Sequence, residues 1–299
     1  MIPKVSAVII THNRLELVKK AYFSVVNQDY SNIEIIIVDD ASTDGTKEYF
    51  ESIDRKNTRY IYISPDQSKG GNYARNTGIN ESTGEYVALL DDDDEWKPTK
   101  TRKQVEYLQQ NTSIKVVSCL RTFQYNYEKE YNESPALLPK TTDLHNSIFE
   151  SIPYTTSCLM IERNALIESG CFDENLKYWQ EYDLLIRLAQ ITRIGRINEC
   201  LTLYRIINGD KHRLTNKLEG WEDAVKYVNT KYADKIELLS EESKRQRQLM
   251  IARDGAVRSD NCGNNKKKRQ YLAAVVKIEP NIINIFKYIF GISKIRRNG

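Results

Sequence analysis

Strand and helix signals alternate through the first 90 residues, and each strand signal runs into a cluster of polar residues. Residues 5–10 (Val-Ser-Ala-Val-Ile-Ile) read as a strand. Residues 14–27 carry Leu15, Val18, Tyr22 and Val25 at helical spacing, the single apolar face of a helix laid on a sheet. Residues 33–38 are almost wholly apolar, as befits a strand covered on both faces. Residues 59–63 and 85–90 supply two more strands, and helices are expected from about Thr46 and from Gly70-Gly71-Asn72. Ser42 or Asp44 is placed to cap the first of these. A β-α-β-α-β-α-β order implies a parallel sheet with right-handed crossovers, so the fold class is α/β.

The fourth strand ends in Asp91-Asp92-Asp93-Asp94-Glu95-Trp96. In open α/β sheets ligands sit at the carboxyl ends of the strands. Carboxylates this close repel one another unless a cation or solvent compensates. A hard divalent cation with oxygen ligands fits that need. A solvated acidic turn is the plainer alternative.

Past Trp96 a helix is expected over 100–110, a strand over 115–120 and an edge hairpin or loop over 123–132. A strand over 155–161 follows, then a helix over 163–169 stopped by Gly170, a helix over 182–189 and a strand over 196–206. From about 216 the reading is helical. This gives two regions, 1–215 and 216–299, with no Pro/Gly linker between them and no internal repeat.

The 299 residues are 40% hydrophobic and 28% charged. No run approaches the ~18 apolar residues of a spanning helix. The opening residues enter a strand directly, without the layout of a signal peptide. Five cysteines without a CxxC pair fit a reducing compartment, so a cytoplasmic location is expected. The net charge of +3 is unevenly spread: residues 263–299 hold nine basic residues against Glu279 alone, a local +8. Such a tail suits an anionic surface. In it Ile282, Ile285, Phe286, Ile289 and Ile292 recur at helical spacing, flanked by Lys287, Lys294, Arg296 and Arg297. The pattern predicts either a helix lying in a membrane interface, peripheral on the cytoplasmic face, or a helix packed on the rest of the chain.

Four segments carry a family resemblance: Val8 with Ile9-Ile10-Thr11-His12-Asn13-Arg14; Ile37-Val38-Asp39-Asp40 through Thr46; Gly71-Asn72-Tyr73-Ala74-Arg75 through Ile79; and Leu89 through Trp96. Each is weak alone, but in this order and spacing they resemble the family 2 glycosyltransferases over roughly residues 4–215. The resemblance implies the GT-A fold, a Rossmann-like mixed sheet with flanking helices, here with a C-terminal helical extension. It also implies transfer of a sugar from a nucleotide diphosphate donor, with inversion and with UDP the expected nucleotide.

By that resemblance Thr11, Asn13 and Arg14 would meet the nucleotide, and Asp40, with Asp39 beside it, would accept the uracil imide N–H. Asn72 and Arg75 would lie near the diphosphate or ribose, Asp91 near the ribose or donor sugar with Asp92 beside it, and Asp93 would ligate Mn²⁺ or Mg²⁺. Asp94 matches the motif's last acid. Asp92 and Glu95 depart from the family's smaller or apolar residues. Capping, salt-bridge and surface roles stand beside each assignment. Inverting transfer needs a carboxylate base. The segment from Phe172 to Leu188 resembles the acceptor-side motif, but Gln180-Glu181 replaces the usual Glu-Asp, which makes Glu181 the candidate base and Asp183 its rival. Asp183 is equally a first-turn helix acid. Tyr178 and Trp179 are candidates for a sugar-stacking face or for the core. His212 is a candidate metal or phosphate contact, and Arg213 a comparable one. The expected partners are a nucleotide sugar and a glycan or lipid-linked acceptor, without nucleic acid.

Competing classes are a nucleotidyltransferase, which would want a glycine-rich phosphate loop with a lysine, and a non-catalytic nucleotide-sugar or polyanion-binding module. Residues 1–262 carry 3 − 8 = −5, and that acidic body argues against polyanions. A glycoside hydrolase would want a paired acid and nucleophile.

Overall fold

The computed structural model describes residues 2–54, 56–135, 141–207 and 218–293. Two compact units emerge. The first comprises Met1–His145, Pro153–Leu176 and Gln180–Asn208; the second comprises Asn146–Ile152, Lys177–Trp179 and Gly209–Gly299.

The first unit is built on one mixed sheet of strands β1 (Val5–Thr11), β2 (Ile33–Asp40), β3 (Thr58–Ile63), β4 (Tyr86–Asp91), β5 (Glu95–Trp96), β6 (Ile114–Tyr125), β7 (Lys129–Asn132), β8 (Met160–Glu162) and β9 (Arg193–Ile206). They run in the order β3-β2-β1-β4-β8-β6-β9-β5, with β7 paired to β6. The expected parallel block is present: β3, β2, β1 and β4 are all parallel neighbours. β8 joins antiparallel to both β4 and β6, which makes the sheet mixed. The helices are α1 (Leu15–Val26), α2 (Thr46–Glu51), α3 (Gly71–Asn80), α4 (Lys100–Gln110), α5 (Arg163–Glu168) and α6 (Gln180–Ile191).

Packing follows the sequence pattern. Val18, Ala21, Tyr22 and Val25 of α1 are buried with Ile9, Ile35, Ile37, Phe50 and Leu90. α3 lies close on the sheet because Gly78 has no side chain: a Cβ there would stand 2.4 Å from Val8 Cγ1. The region 123–132 is a hairpin, with Phe123 opposite Tyr131.

One expected strand is corrected. Over 155–161 the chain first makes a 3₁₀ turn, Thr156–Cys158, and only then enters β8. The cause is Ser157, which is fully buried and whose polar atoms serve neighbours off the ladder. Its carbonyl accepts from Trp96 Nε1 at 2.9 Å and its hydroxyl accepts the Asp91 N–H at 3.1 Å.

The second unit is helical: α7 (Glu219–Lys231), α8 (Ala233–Glu237), α9 (Glu241–Asn261), α10 (Asn265–Ile278) and α11 (Ile282–Phe290). Ser240, Asn264 and Asn281 cap α9, α10 and α11 through their side chains. Its core includes Trp221, edge-on to Trp179 at 5.9 Å and to Tyr271 at 6.0 Å. Tyr178 lies against Gly220, where a Cβ would meet its ring at 2.4 Å. Tyr178 and Trp179 therefore pack within this unit. The tail helix stops one residue after Ile289. Gly291 takes φ 63°, its N–H bonds the Tyr288 carbonyl, and the Ile292 N–H reaches back to the Lys287 carbonyl at 2.9 Å. This closure places Ile292 outside the helix.

Candidate active site

The chain order reverses beside β1: β2 and β3 lie on one side of it and β4 on the other. The carboxyl ends of β1 and β4 thus flank a topological switch point, where α/β sheets open a crevice. Thr11 ends β1 and Asp91 ends β4. The two ends are joined directly, since Thr11 Oγ1 donates to Asp92 Oδ2 at 2.9 Å.

The acidic run folds as a turn, with the Asp94 N–H on the Asp91 carbonyl at 3.1 Å, and β5 then anchors it to β9. Its four carboxyls separate by burial. Asp92 and Asp94 are buried, at 7% and 1% exposure, whereas Asp91 and Asp93 are only half-buried. Asp92 receives Thr11 and the Arg14 guanidinium at 3.1 Å; Arg14 also reaches Asp93 at 3.2 Å. Burial, reinforced by the charge of Asp93, pushes the Asp92 carboxyl up to about 7 against the opposing pull of Arg14 and Thr11. Burial and the charges of Asp93 and Asp91 hold the Asp94 carboxyl well above the usual range, although it hydrogen-bonds Ser157 and accepts the Arg205 N–H. Asp91 and Asp93 are the two that face outward with oxygen donors suited to a hard cation.

Arg75, in the second turn of α3, links this turn to the acceptor-side segment. One nitrogen donates to Asp91 Oδ1 at 2.6 Å and another to Gln180 Oε1 at 2.9 Å. Asn72 uses its amide to hold the carbonyls of Asp173 and Leu176, both at 2.7 Å. Its bonds therefore position the loop before α6.

The β1 and β2 loops are tied together. Asn13, at φ 53°, donates its backbone N–H to Ser42 Oγ at 2.7 Å and accepts from the Thr43 N–H at 2.7 Å. His12 Nδ1 donates to the Asp40 carbonyl at 2.5 Å. Asp39 is saturated by the Ser42 N–H and the Tyr60 hydroxyl. Asp40 differs: its Oδ1 is buried without a hydrogen-bond partner among the described residues. Such an oxygen, at the end of a central strand, suits a donor brought by a ligand. Asp44, rather than Ser42, serves the start of α2, accepting the Thr46 hydroxyl at 2.6 Å and N–H at 3.3 Å; its other oxygen takes the Leu15 N–H.

Glu181 and Asp183 both lie in the first turn of α6, but their surroundings differ. Asp183 is fully buried and accepts Arg187 Nε at 3.0 Å and a terminal nitrogen at 2.7 Å, while Arg187 also holds the Ser169 carbonyl. Glu181 is half-buried. His212 and Arg213 lie outside the described residues. Arg205 and Ser157 escaped the sequence reading. Arg205, buried in β9, bonds Glu95 and donates its backbone N–H to Asp94. The available signal was a charge set in the strand pattern Leu203-Tyr204-Arg205-Ile206.

The chain matches the family described as glycosyl transferase family 2 over residues 6–170. It is 28% identical over 209 residues to the GalNAc(5)-diNAcBac-PP-undecaprenol beta-1,3-glucosyltransferase of Campylobacter jejuni, covering 70% of this chain and just under two thirds, 66%, of that one. It is 30% identical over 221 residues to the putative colanic acid biosynthesis glycosyl transferase WcaA of Escherichia coli, covering 70% of this chain and 74% of the relative. Among solved structures, Staphylococcus aureus TarS 1-349 in complex with UDP-GlcNAc superposes with a TM-score of 0.64 at 18% identity, over 97% of this chain and 89% of that one. The mannosyltransferase PcManGT from Pyrobaculum calidifontis, in complex with GDP-Man and Mn²⁺, gives 0.59 at 16%, over 97% and 80%. At these identities the structures establish the fold, which is of the GT-A type.

Proposed function

Because the chain belongs to glycosyl transferase family 2, we propose that it moves a sugar with inversion from a nucleotide-diphosphate donor, UDP-linked, to a glycan or lipid-linked acceptor. The observation that carries this reading is the division of the aspartate run at the switch point: Asp92 and Asp94 turned in, Asp91 and Asp93 left outward.

In this reading the uracil imide N–H donates to the unpartnered Asp40 Oδ1. Asp93, with Asp91 beside it, would hold Mn²⁺ or Mg²⁺. Among the described residues no three His, Cys, Asp or Glu side chains form a metal cage, so diphosphate oxygens and water would complete the shell. When bound, the cation offsets the charge developing on the leaving diphosphate. Thr11 and Arg14 keep Asp92 in place behind that edge, and Arg75 fixes Asp91 against Gln180. Glu181, one residue beyond Gln180, takes the proton of the acceptor hydroxyl. As that oxygen bonds to the anomeric carbon, the carbon–diphosphate bond breaks and the nucleoside diphosphate leaves. Asp183 is committed to Arg187 and supports the helix that carries Glu181.

The Campylobacter relative acts on an undecaprenol-linked acceptor, which favours an acceptor of that class, and a membrane-edge position with contact through the C-terminal region. The UDP-GlcNAc in the TarS complex supports a UDP donor. The test is turnover of UDP-sugars with Mn²⁺. Asp93→Asn and Glu181→Gln should each lower kcat by ~100-fold or more. Asp183→Asn should act mainly on thermal stability. Retention of transfer by both of the first two variants would place the chemistry elsewhere.

A further inference from the structure

α11 is amphipathic in the wrong sense for a helix in water. Its most buried residue is polar: Asn284 is 4% exposed and donates to the Glu279 carbonyl at 2.8 Å and to Glu279 Oε2 at 2.9 Å. Its apolar residues point outward, with Ile282 86% exposed, Phe286 51%, Ile289 61% and Phe290 62%. Ile283, Ile285 and Tyr288 are exposed as well. A helix on a soluble surface turns its apolar stripe inward, and a contiguous exposed patch of this kind marks an interaction surface.

The helix is well made at both ends. Asn281 caps its start and the Gly291 closure ends it, with Gly291 lying beside Lys268 of α10. Ser293 just beyond donates to Asp260 Oδ2 at 2.5 Å. The outward display is therefore the packed arrangement of α11 against α10. Phe286 and Phe290 lie ring against ring at 4.4 Å, tilted by 39°, forming one apolar ridge.

We infer that α11 is the seat by which the protein lies on an anionic lipid surface, its Ile and Phe side chains entering the headgroup–acyl boundary. This rests on the reading of the chain as working at a membrane edge, and adds the element and the lipid chemistry. Lipid is chosen over a protein partner by charge: Lys266, Arg269 and Lys277 of α10 are exposed, and Glu279 is the single acid in residues 263–299, against nine basic residues. Apolar residues with basic flanks, and tyrosine at the rim, suit an interface rich in anionic headgroups. Nine residues span only ~14 Å, less than half a bilayer core, so α11 lies in the plane. No described helix is long and apolar enough to cross a membrane.

The test is flotation of the full chain with vesicles of phosphatidylcholine alone or with about one third phosphatidylglycerol, alongside UDP-sugar hydrolysis in solution. Wild type should float with the anionic vesicles and far less with neutral ones. Phe286→Ser with Ile289→Ser should lose at least ~10-fold of the binding with an unchanged melting temperature, since both side chains are exposed. Lys266→Glu with Arg269→Glu should lose the preference for anionic lipid, each cation being worth about fivefold. Equal flotation of wild type and the serine variant would overturn the inference. So would wild type that ignores vesicles but self-associates through these residues in sedimentation. Anionic-vesicle binding lost with the serine variant, in a protein that hydrolyses no nucleotide sugar, would uphold the seat while removing the transferase reading.

Discussion

Asp39 and Asp40 are adjacent acids at the end of one strand, yet their surroundings give them different work. Asp39 is saturated by Ser42 and Tyr60, and burial together with the Asp39 carboxylate drives the Tyr60 hydroxyl far above its ordinary pKa. Asp40 keeps one buried oxygen without a partner. Asp40→Asn should therefore weaken UDP binding, measured by calorimetry, by about tenfold, the worth of one charged hydrogen bond. Asp39→Asn should disturb β2 and β3 instead. The same logic divides Glu181 from Asp183 and the inward from the outward members of the aspartate run. At this scale residue type identified the candidates, and burial with hydrogen-bond partners assigned their tasks.

At the scale of elements, the parallel block depends on a close fit and on a polar junction. α3 approaches the sheet at Gly78, so Gly78→Ala must displace Val8 and Val38 and should cost about 1–3 kcal/mol in urea unfolding. The amino ends of β1 and β2 are joined by Glu34. Burial opposes its ionisation, but Lys4, Ser6 and Thr83 outweigh that and carry its carboxyl down to about 2. A depressed folded-state value means stability that is present above the ordinary 4.5 and lost as pH falls toward 2. Glu34→Gln should accordingly flatten the pH dependence of Tm between about 4.5 and 2 while leaving its slope above 5 unchanged. Short-range rules located most of these elements. They failed at residues 155–158, because Ser157 answers to Asp91 and Trp96, each more than 60 positions away.

For the whole molecule, a nucleotide that bridges Asp40 and the aspartate turn binds only the folded state and must raise its melting point. UDP with Mn²⁺ at 100 times its Kd should add about 2.7 kcal/mol. CDP should add less at equal concentration, since cytosine N3 has no hydrogen to donate to the unpartnered Asp40 oxygen. Equal shifts by UDP and CDP would remove that selectivity, and no shift with either would remove the nucleotide site.

The alternation of apolar strands with amphipathic helices determined the parallel block β3-β2-β1-β4 and its carboxyl-end loops, because period and burial are local properties of a chain. Motif order brought Thr11, Asp40, Arg75 and Asp91 to one edge for the same reason. The sequence also contained the odd tail, but not its orientation, since helical spacing is the same whether the apolar face turns in or out. Only the tertiary structure decided that Asp92 and Asp94 are buried on Thr11, Arg14, Ser157 and Arg205, that Asp183 is tied to Arg187, and that α11 shows its isoleucines to solvent. Those outcomes depend on partners brought close by folding across tens of residues, and on how many polar groups each site offers a buried carboxylate.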